Sequence, residues 1–269
     1  MDGTFSLTET GEKESTPLPV TNQEEKELRR VFNMLCDYSR KVRIQSEIEE
    51  LRHLLTGGKQ RLKEVNEMST AIVNLERFEN NAEACHKRID ELIFELENVA
   101  ANPNKKISIP DVSEMIKKLK GGKAPNKLDV QEMLWEVDED LDQCLNWPEF
   151  KLMFTRNILD QTGLEPSRMF FLTQFLIYDH NENGKVSVDE TMNMLYARYG
   201  RATMEKKLKE LFGDDMHETG REGGEIQYDK FVAALQRVQL STFWNTTKGK
   251  NIANKGGLKK AKKDDEDSM

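Results

Sequence analysis

Two stretches of this chain carry oxygen-bearing side chains at the same intervals, and those intervals suit a hard cation. Asp138 to Glu149 reads D-E-D-L-D-Q-C-L-N-W-P-E, with Asp138, Asp140, Asp142, Asn146 and Glu149 at positions 1, 3, 5, 9 and 12. Asp179 to Glu190 reads D-H-N-E-N-G-K-V-S-V-D-E, with Asp179, Asn181, Asn183, Ser187 and Glu190 at the same positions. Ca²⁺ takes several oxygen ligands, so a chain that binds it must wrap around a point and donate from alternate residues. The glutamate at position 12 offers two oxygens, and position 7 offers a backbone carbonyl. Cys144 and Lys185 fill position 7, where the side chain plays no part in ligation. The spacing therefore predicts Ca²⁺ as the bound ion, held by one set of six residues in each stretch.

The two loops differ in charge and in geometry. Position 6 needs a sharp turn, which Gly184 makes without a Cβ clash, whereas Gln143 at the equivalent place pays about 1 kcal/mol for a left-handed backbone. Asp138, Asp140, Asp142 and Glu149 give the first loop four carboxylates, against two in the second, Asp179 and Glu190. Charge and rigidity act on affinity in opposite senses here, so both loops are expected to bind and neither is ranked above the other.

Helix–loop–helix units must position such loops, and the chain repeats this unit. Position 8 is the apolar residue that pairs with a partner loop, here Leu145 and Val186, which are 41 residues apart. Ile107, 38 residues before Leu145, and Ile226, 40 after Val186, extend the series to four repeats. Apolar helix residues keep the register: Leu96 and Val99, Leu134 and Val137, and Phe175 and Tyr178 precede their loops, while Met115, Met153 and Met194 follow. The outer loops lack ligands. Ala100 and Asp111 occupy positions 1 and 12 of the first, and Thr219 and Lys230 those of the last, which is also lengthened. These outer repeats read as structural mates, giving two lobes with one competent loop each, joined around residues 159–166, where Thr162-Gly163 and Glu165-Pro166 mark a break.

Ahead of the repeats lies helical sequence of another kind. Leu28, Val31, Phe32, Leu35, Tyr38, Val42, Ile48, Leu51 and Leu55 recur at mostly three- and four-residue steps from about Glu24, until Thr56-Gly57-Gly58-Lys59 stops the pattern. Met68, Leu75, Ala82, Ile89 and Leu96 then interleave with Ala71, Phe78, Cys85, Leu92 and Val99 at seven-residue spacing, a coiled-coil seam predicted to run as one helix into the first repeat. Its partner is either the preceding helix of this chain or a helix of another protein.

Residues 1–22 are poor in large apolar side chains, and residues 241–269 carry Lys248, Lys250, Lys255, Lys259, Lys260, Lys262 and Lys263 before an acidic end. Both segments are expected to be disordered. The basic cluster can contact an acidic surface such as a tubulin tail, a nucleic acid or an anionic membrane, the alternative being a plain solvated tail. Across 269 residues the content is 37% hydrophobic and 33% charged, with a net charge of −8, which favours solvated helices and argues against specific nucleic-acid binding. Cys36, Cys85 and Cys144 are too scattered for a disulfide framework or a zinc motif. No apolar run is long enough to span a membrane. His53, His86, His180 and His217 form no catalytic spacing, so no enzyme is expected, and Trp135 and Trp147 are expected to pack.

The fourfold repeat and the two loop sequences resemble the EF-hand superfamily of calmodulin and troponin C, over roughly residues 89–238. That resemblance implies an all-α fold of paired helix–loop–helix lobes, in which ion binding opens a Met-rich groove for a target helix. The coiled-coil extension is more similar to the EF-hand subunits of flagellar axonemes and other microtubule assemblies. The implied organisation is a disordered arm (1–22), a helical hairpin or coiled coil (24–99), one lobe over 89–159, a second over 167–239 and a basic tail (241–269). Three functions follow from it: a calcium-binding adaptor anchored by its coiled coil in a cytoplasmic, cytoskeletal assembly such as a cilium; a structural subunit indifferent to calcium; or a free calcium sensor.

Overall fold

The computed structural model describes residues 20–63, 68–213 and 224–246, leaving aside the side chains of 57–80 and 202. The expected N-terminal arm up to residue 19, the lysine-rich tail from 247, Thr219 and His217 lie outside the described residues.

Thr21 starts the first helix, α1 (Asn22–Leu35), through a capping box in which its hydroxyl accepts from Glu24 N while the Glu24 carboxylate accepts from Thr21 N. Leu28, Val31, Phe32 and Leu35 then fall on one face and are at most 2% exposed, each worth about 1.5–3 kcal/mol of burial. This stripe was expected to continue as one helix to Leu55. Instead the chain breaks at Cys36–Asp37, where Asp37 takes φ 55° and α2 (Tyr38–Lys63) sets off in a new direction. Lys41 Nζ bridges the break by donating to the carbonyls of Asn33 and Cys36 at 3.1 and 2.6 Å. The consequence is that α1 belongs to the repeat core and not to the coiled coil.

The hairpin is formed by α2 and α3 (Met68–Ala101). Gly57-Gly58 does not stop α2, which continues to Lys63, so the connection falls at residues 64–67, outside the described residues. Arg40 pairs with Glu95 at 2.7 Å and Arg88 with Glu47 at 2.9 Å, which makes the two helices antiparallel. Beside these pairs Ile44, Ile48, Ile89 and Leu92 form a small core, flanked by Leu51, Leu55 and Leu96. From Ile89 to Leu96, then, the heptad seam packs on the chain's own α2, and the same helix runs without interruption into the first repeat.

Four helix–loop–helix units follow. Helix α3 leads through β1 (Ile107–Ser108) to α4 (Ile109–Leu119), and α5 (Lys127–Trp135) through β2 (Cys144–Leu145) to α6 (Trp147–Leu159). Helix α7 (Arg168–Tyr178) leads through β3 (Lys185–Ser187) to α8 (Val188–Phe212), which kinks at Gly200 into the last unit, closed by β4 (Glu225–Gln227) and α9 (Tyr228–Asn245). The strands pair antiparallel as β1–β2 and β3–β4, with Ile107 opposite Leu145 and Val186 opposite Ile226, the register that the repeat spacing predicted. Helix α9 extends to Asn245, so the expected disorder from residue 241 is corrected over its first residues, which continue a packed helix.

One continuous core runs from α1 through both strand-paired halves, from Leu28 to Ala234. The segment between α6 and α7 is held rather than loose. Asp160 accepts from Thr162 N, the Thr162 hydroxyl and Glu165 N, and Gln239 of α9 donates to the Glu165 carbonyl at 3.1 Å. A Cβ on Gly163 (φ 70°) would sit 2.7 Å from the Gln239 carbonyl oxygen, so only glycine lets this segment lie on α9.

Candidate metal centre

The spacing of positions 9 and 12 has a second structural meaning: it is the spacing of an N-cap residue and N3. Asn146 and Glu149 cap α6 reciprocally, as Ser187 and Glu190 cap α8, so each loop's last ligands are also the start of its exit helix. An acidic residue at N3 faces the positive end of that helix. The carboxylates are thereby fixed before any ion is considered.

In the loop from Asp138, Asp138 is 7% exposed and its Oδ2 accepts from Gln143 N at 2.8 Å, while the buried Oδ1 has no hydrogen-bond partner. Glu149 Oε1 accepts from Glu139 N and Asp140 N at 3.1 and 3.2 Å, and Oε2 accepts from Asn146 N at 2.9 Å. Asp140 Oδ1 accepts from Asp142 N, and Asp142 Oδ1 from Cys144 N, each turning the chain inward. Asp138, Asp140 and Glu149 bring carboxylate oxygens within 4.8 Å of one another. Three negative groups so close repel unless a cation lies among them.

The loop from Asp179 follows the same course with fewer charges. Asp179, 3% exposed, accepts from Asn183 N at 3.0 Å and Gly184 N at 2.9 Å; Asn181 and Asn183 accept from the backbone two residues on. Glu190 Oε2 accepts from Ser187 N and the Ser187 hydroxyl at 3.0 and 2.8 Å, and its buried Oε1 has no hydrogen-bond partner. Burial pushes the Asp179 carboxyl up, with the Glu190 charge adding to it and the two backbone hydrogen bonds opposing it. Left-handed residues occur at positions 4 and 6 in both loops: Leu141 and Gln143 (φ 60° and 66°), and Glu182 and Gly184 (φ 59° and 78°). Gln143 thus adopts the turn that Gly184 makes, at the expected cost in strain.

Position 7 carries a further feature that spacing alone did not reveal. Lys185 pairs with Glu225 on the opposite strand at 2.8 Å, and Lys106, from the first outer loop, pairs with Asp142 Oδ2. The Lys106 ammonium holds the Asp142 carboxyl below the usual carboxylate range. Asp142, expected to offer its carboxylate from position 5, therefore already has a cationic partner, supplied from position 7 of the neighbouring outer loop.

The outer loops spend their acids elsewhere. Asp111 Oδ2 takes Ser108 N and its hydroxyl, and Oδ1 takes Ser39 N and its hydroxyl at 2.8 Å each, which ties α4 to the start of α2. Lys230 stands at N3 of α9, and Gln227 makes no side-chain cap bond there. Of the histidines described, His53 and His180 are exposed, and His86 bonds the Ala82 carbonyl. Trp147 packs edge-on to Phe32 at 5.4 Å under the Arg29 guanidinium, as expected of a packing residue. Trp135 does not: it is 71% exposed on the outer side of α5.

No family model matches the chain. The chain is similar to calmodulin-like protein 6 of Oryza sativa subsp. japonica, 28% identical over 128 residues, which span 47% of this chain and 68% of that protein. Among the described residues, no helix is long and apolar enough to cross a membrane.

Proposed function

This chain belongs to the EF-hand superfamily, and we propose that it is a calcium-binding adaptor that takes one Ca²⁺ in each inner loop. Asp138, Asp140, Asp142, Asn146 and Glu149, with the Cys144 carbonyl, would hold the first ion. Asp179, Asn181, Asn183, Ser187 and Glu190, with the Lys185 carbonyl, would hold the second. The observation that carries this reading is a pair of buried acceptors without donors, Asp138 Oδ1 and Glu190 Oε1, at the first and last ligand positions. A buried carboxylate oxygen with no partner costs of the order of 1–3 kcal/mol, and a hard cation removes that cost. Bound Ca²⁺ would supply positive charge only; orientation comes from the capping boxes and the backbone bonds to Asp138 and Asp179.

The α2–α3 hairpin is about 50 Å long on its α3 side, at 1.5 Å for each of 34 residues. With the seam packed on α2 from Ile89 to Leu96, a partner helix would meet outward residues such as Leu54 and Phe94, 63% and 66% exposed. The lysine-rich sequence from Lys248 to Lys263 adds attraction to an acidic polymer, which fits placement on a microtubule-based assembly. Calcium titration by calorimetry, with and without competing Mg²⁺, tests the binding claim: saturable heat at micromolar calcium that survives millimolar Mg²⁺ is expected. Heat abolished by Mg²⁺ would favour a structural subunit indifferent to calcium, a reading that the single continuous core also suits. Cosedimentation with microtubules, lost when residues 248–269 are removed or salt is raised, tests the anchoring.

A further inference from the structure

The two competent loops sit in different strand pairs, Asp138–Glu149 with β1–β2 and Asp179–Glu190 with β3–β4, so among the described residues no strand ladder joins them. Helix α1 does touch the frame of both, within less than two turns. On one side Phe32 lies 5.4 Å from Trp147 and 5.5 Å from Phe150, the residues that bracket Pro148 and Glu149, and the Arg29 guanidinium lies 3.5 Å from the Trp147 ring centre. On the other, Arg30 Nη2 donates to the carbonyls of Leu176 and Ile177 at 2.8 and 3.4 Å, in the last turn of α7 just before Asp179. Glu27, which holds Arg30 at 2.8 Å, also lies 3.9 Å from His180. Glu25 to Lys151 on α6 and Glu24 to Arg198 on α8 fasten the first turn of the same helix to both halves.

We propose that α1 couples the two cation loops, so that filling one changes the affinity of the other through Phe32 and Arg30. This inference rests on the calcium reading above. The physical basis is close packing: α6 cannot shift at Glu149, nor α7 at Asp179, without moving α1 or breaking its contacts, because packed interiors transmit displacement rather than absorb it. Such coupling is reciprocal, and typical strengths correspond to a change in affinity of about 5- to 150-fold. Arg29 and Arg30 are positioning residues in this scheme, since neither donates to an ion.

The test uses the full chain with Trp135→Phe and Trp244→Phe, which leaves Trp147 as the sole indole; both replaced residues are more than half exposed. Adding Glu149→Gln disables the adjacent loop, so any calcium-dependent change in Trp147 emission must start at the Asp179 loop. The expected result is one ion by calorimetry and an emission change that follows the same curve. Adding Arg30→Gln should leave the heat and abolish the emission change. As a second measurement, Glu190→Gln should change the affinity of the Asp138 loop at least about fivefold in the parent chain and under twofold with Arg30→Gln. An ion bound with silent emission, or a response that survives Arg30→Gln in a chain of unchanged helicity, overturns the coupling. No heat in the parent chain overturns the calcium reading itself, and the coupling with it.

Discussion

Replacing Glu24 by Ala should destabilise the protein far more than replacing its neighbour Glu25, although both carboxylates make ion pairs of similar length from the same turn of α1. Glu24 meets Arg198 Nη1 with both oxygens, at 2.7 and 2.6 Å, and the two side chains are 8% and 7% exposed. Glu25 meets Lys151 at 2.7 Å, but those side chains are 44% and 40% exposed. Removing one partner of a buried pair leaves the other charge stranded, at roughly 3–5 kcal/mol. Glu24 also closes the capping box with Thr21, worth about 1 kcal/mol more. The expected loss is therefore about 4–6 kcal/mol for Glu24→Ala and below about 1 kcal/mol for Glu25→Ala, where water screens the pair. Equilibrium urea unfolding monitored by circular dichroism reads both losses from the shift in midpoint. In the cycle, Glu24→Met with Arg198→Met should cost less than either single change, because no unpaired charge is left behind. Equal losses for Glu24→Ala and Glu25→Ala, both near 1 kcal/mol or less, would refute the claim that α1 is sealed into the core.

Lys106→Met should tighten calcium binding at the Asp138 loop by up to about fivefold, because Asp142 then no longer shares its charge with an exposed ammonium, and leave the Asp179 loop unchanged; calorimetry at low and high salt reads this. Gly163→Ala should lower stability by more than 1 kcal/mol, because the added Cβ meets the Gln239 carbonyl at 2.7 Å and the backbone is left-handed (φ 70°); limited proteolysis should then cut at residues 159–166, which the parent chain protects. Burial pushes the Cys36 thiol up to about 12, so at pH 8 the folded protein should leave it unmodified by an aromatic disulfide reagent while Cys85 reacts. The same shift makes the folded state hold its proton between pH 9 and about 12, where the unfolded chain loses it, so Cys36 contributes stability that falls as pH rises through that window.

The repeat architecture was legible because two constraints impose fixed intervals on the sequence. Ion ligation sets positions 1 to 12, and strand pairing sets position 8, so Ile107 and Ile226 could be placed opposite Leu145 and Val186 even in loops that have lost their ligands. The break after α1 was not legible, because Asp37 reaches φ 55° without a glycine or proline to signal it, and Leu28 to Leu35 keep a helical period that Val42 and Ile48 continue by spacing alone. Gly57-Gly58 misled in the opposite sense: glycine costs about 1 kcal/mol in a helix, which α2 absorbs. The Lys106 pairing and the α1 contacts to Trp147 and Leu176 join residues distant in sequence, and only the fold brings them together.

The most direct measurement is a crystal structure grown with calcium, using anomalous scattering to locate the ions. Two peaks are predicted per chain, one about 2.3–2.6 Å from Asp138 Oδ1 and the other at the same distance from Glu190 Oε1, each satisfying the buried oxygen that now lacks a donor. Anomalous density absent from both loops at millimolar calcium, or ions bound elsewhere with these two oxygens still unliganded, would contradict the assignment of the chain as a two-site calcium-binding protein.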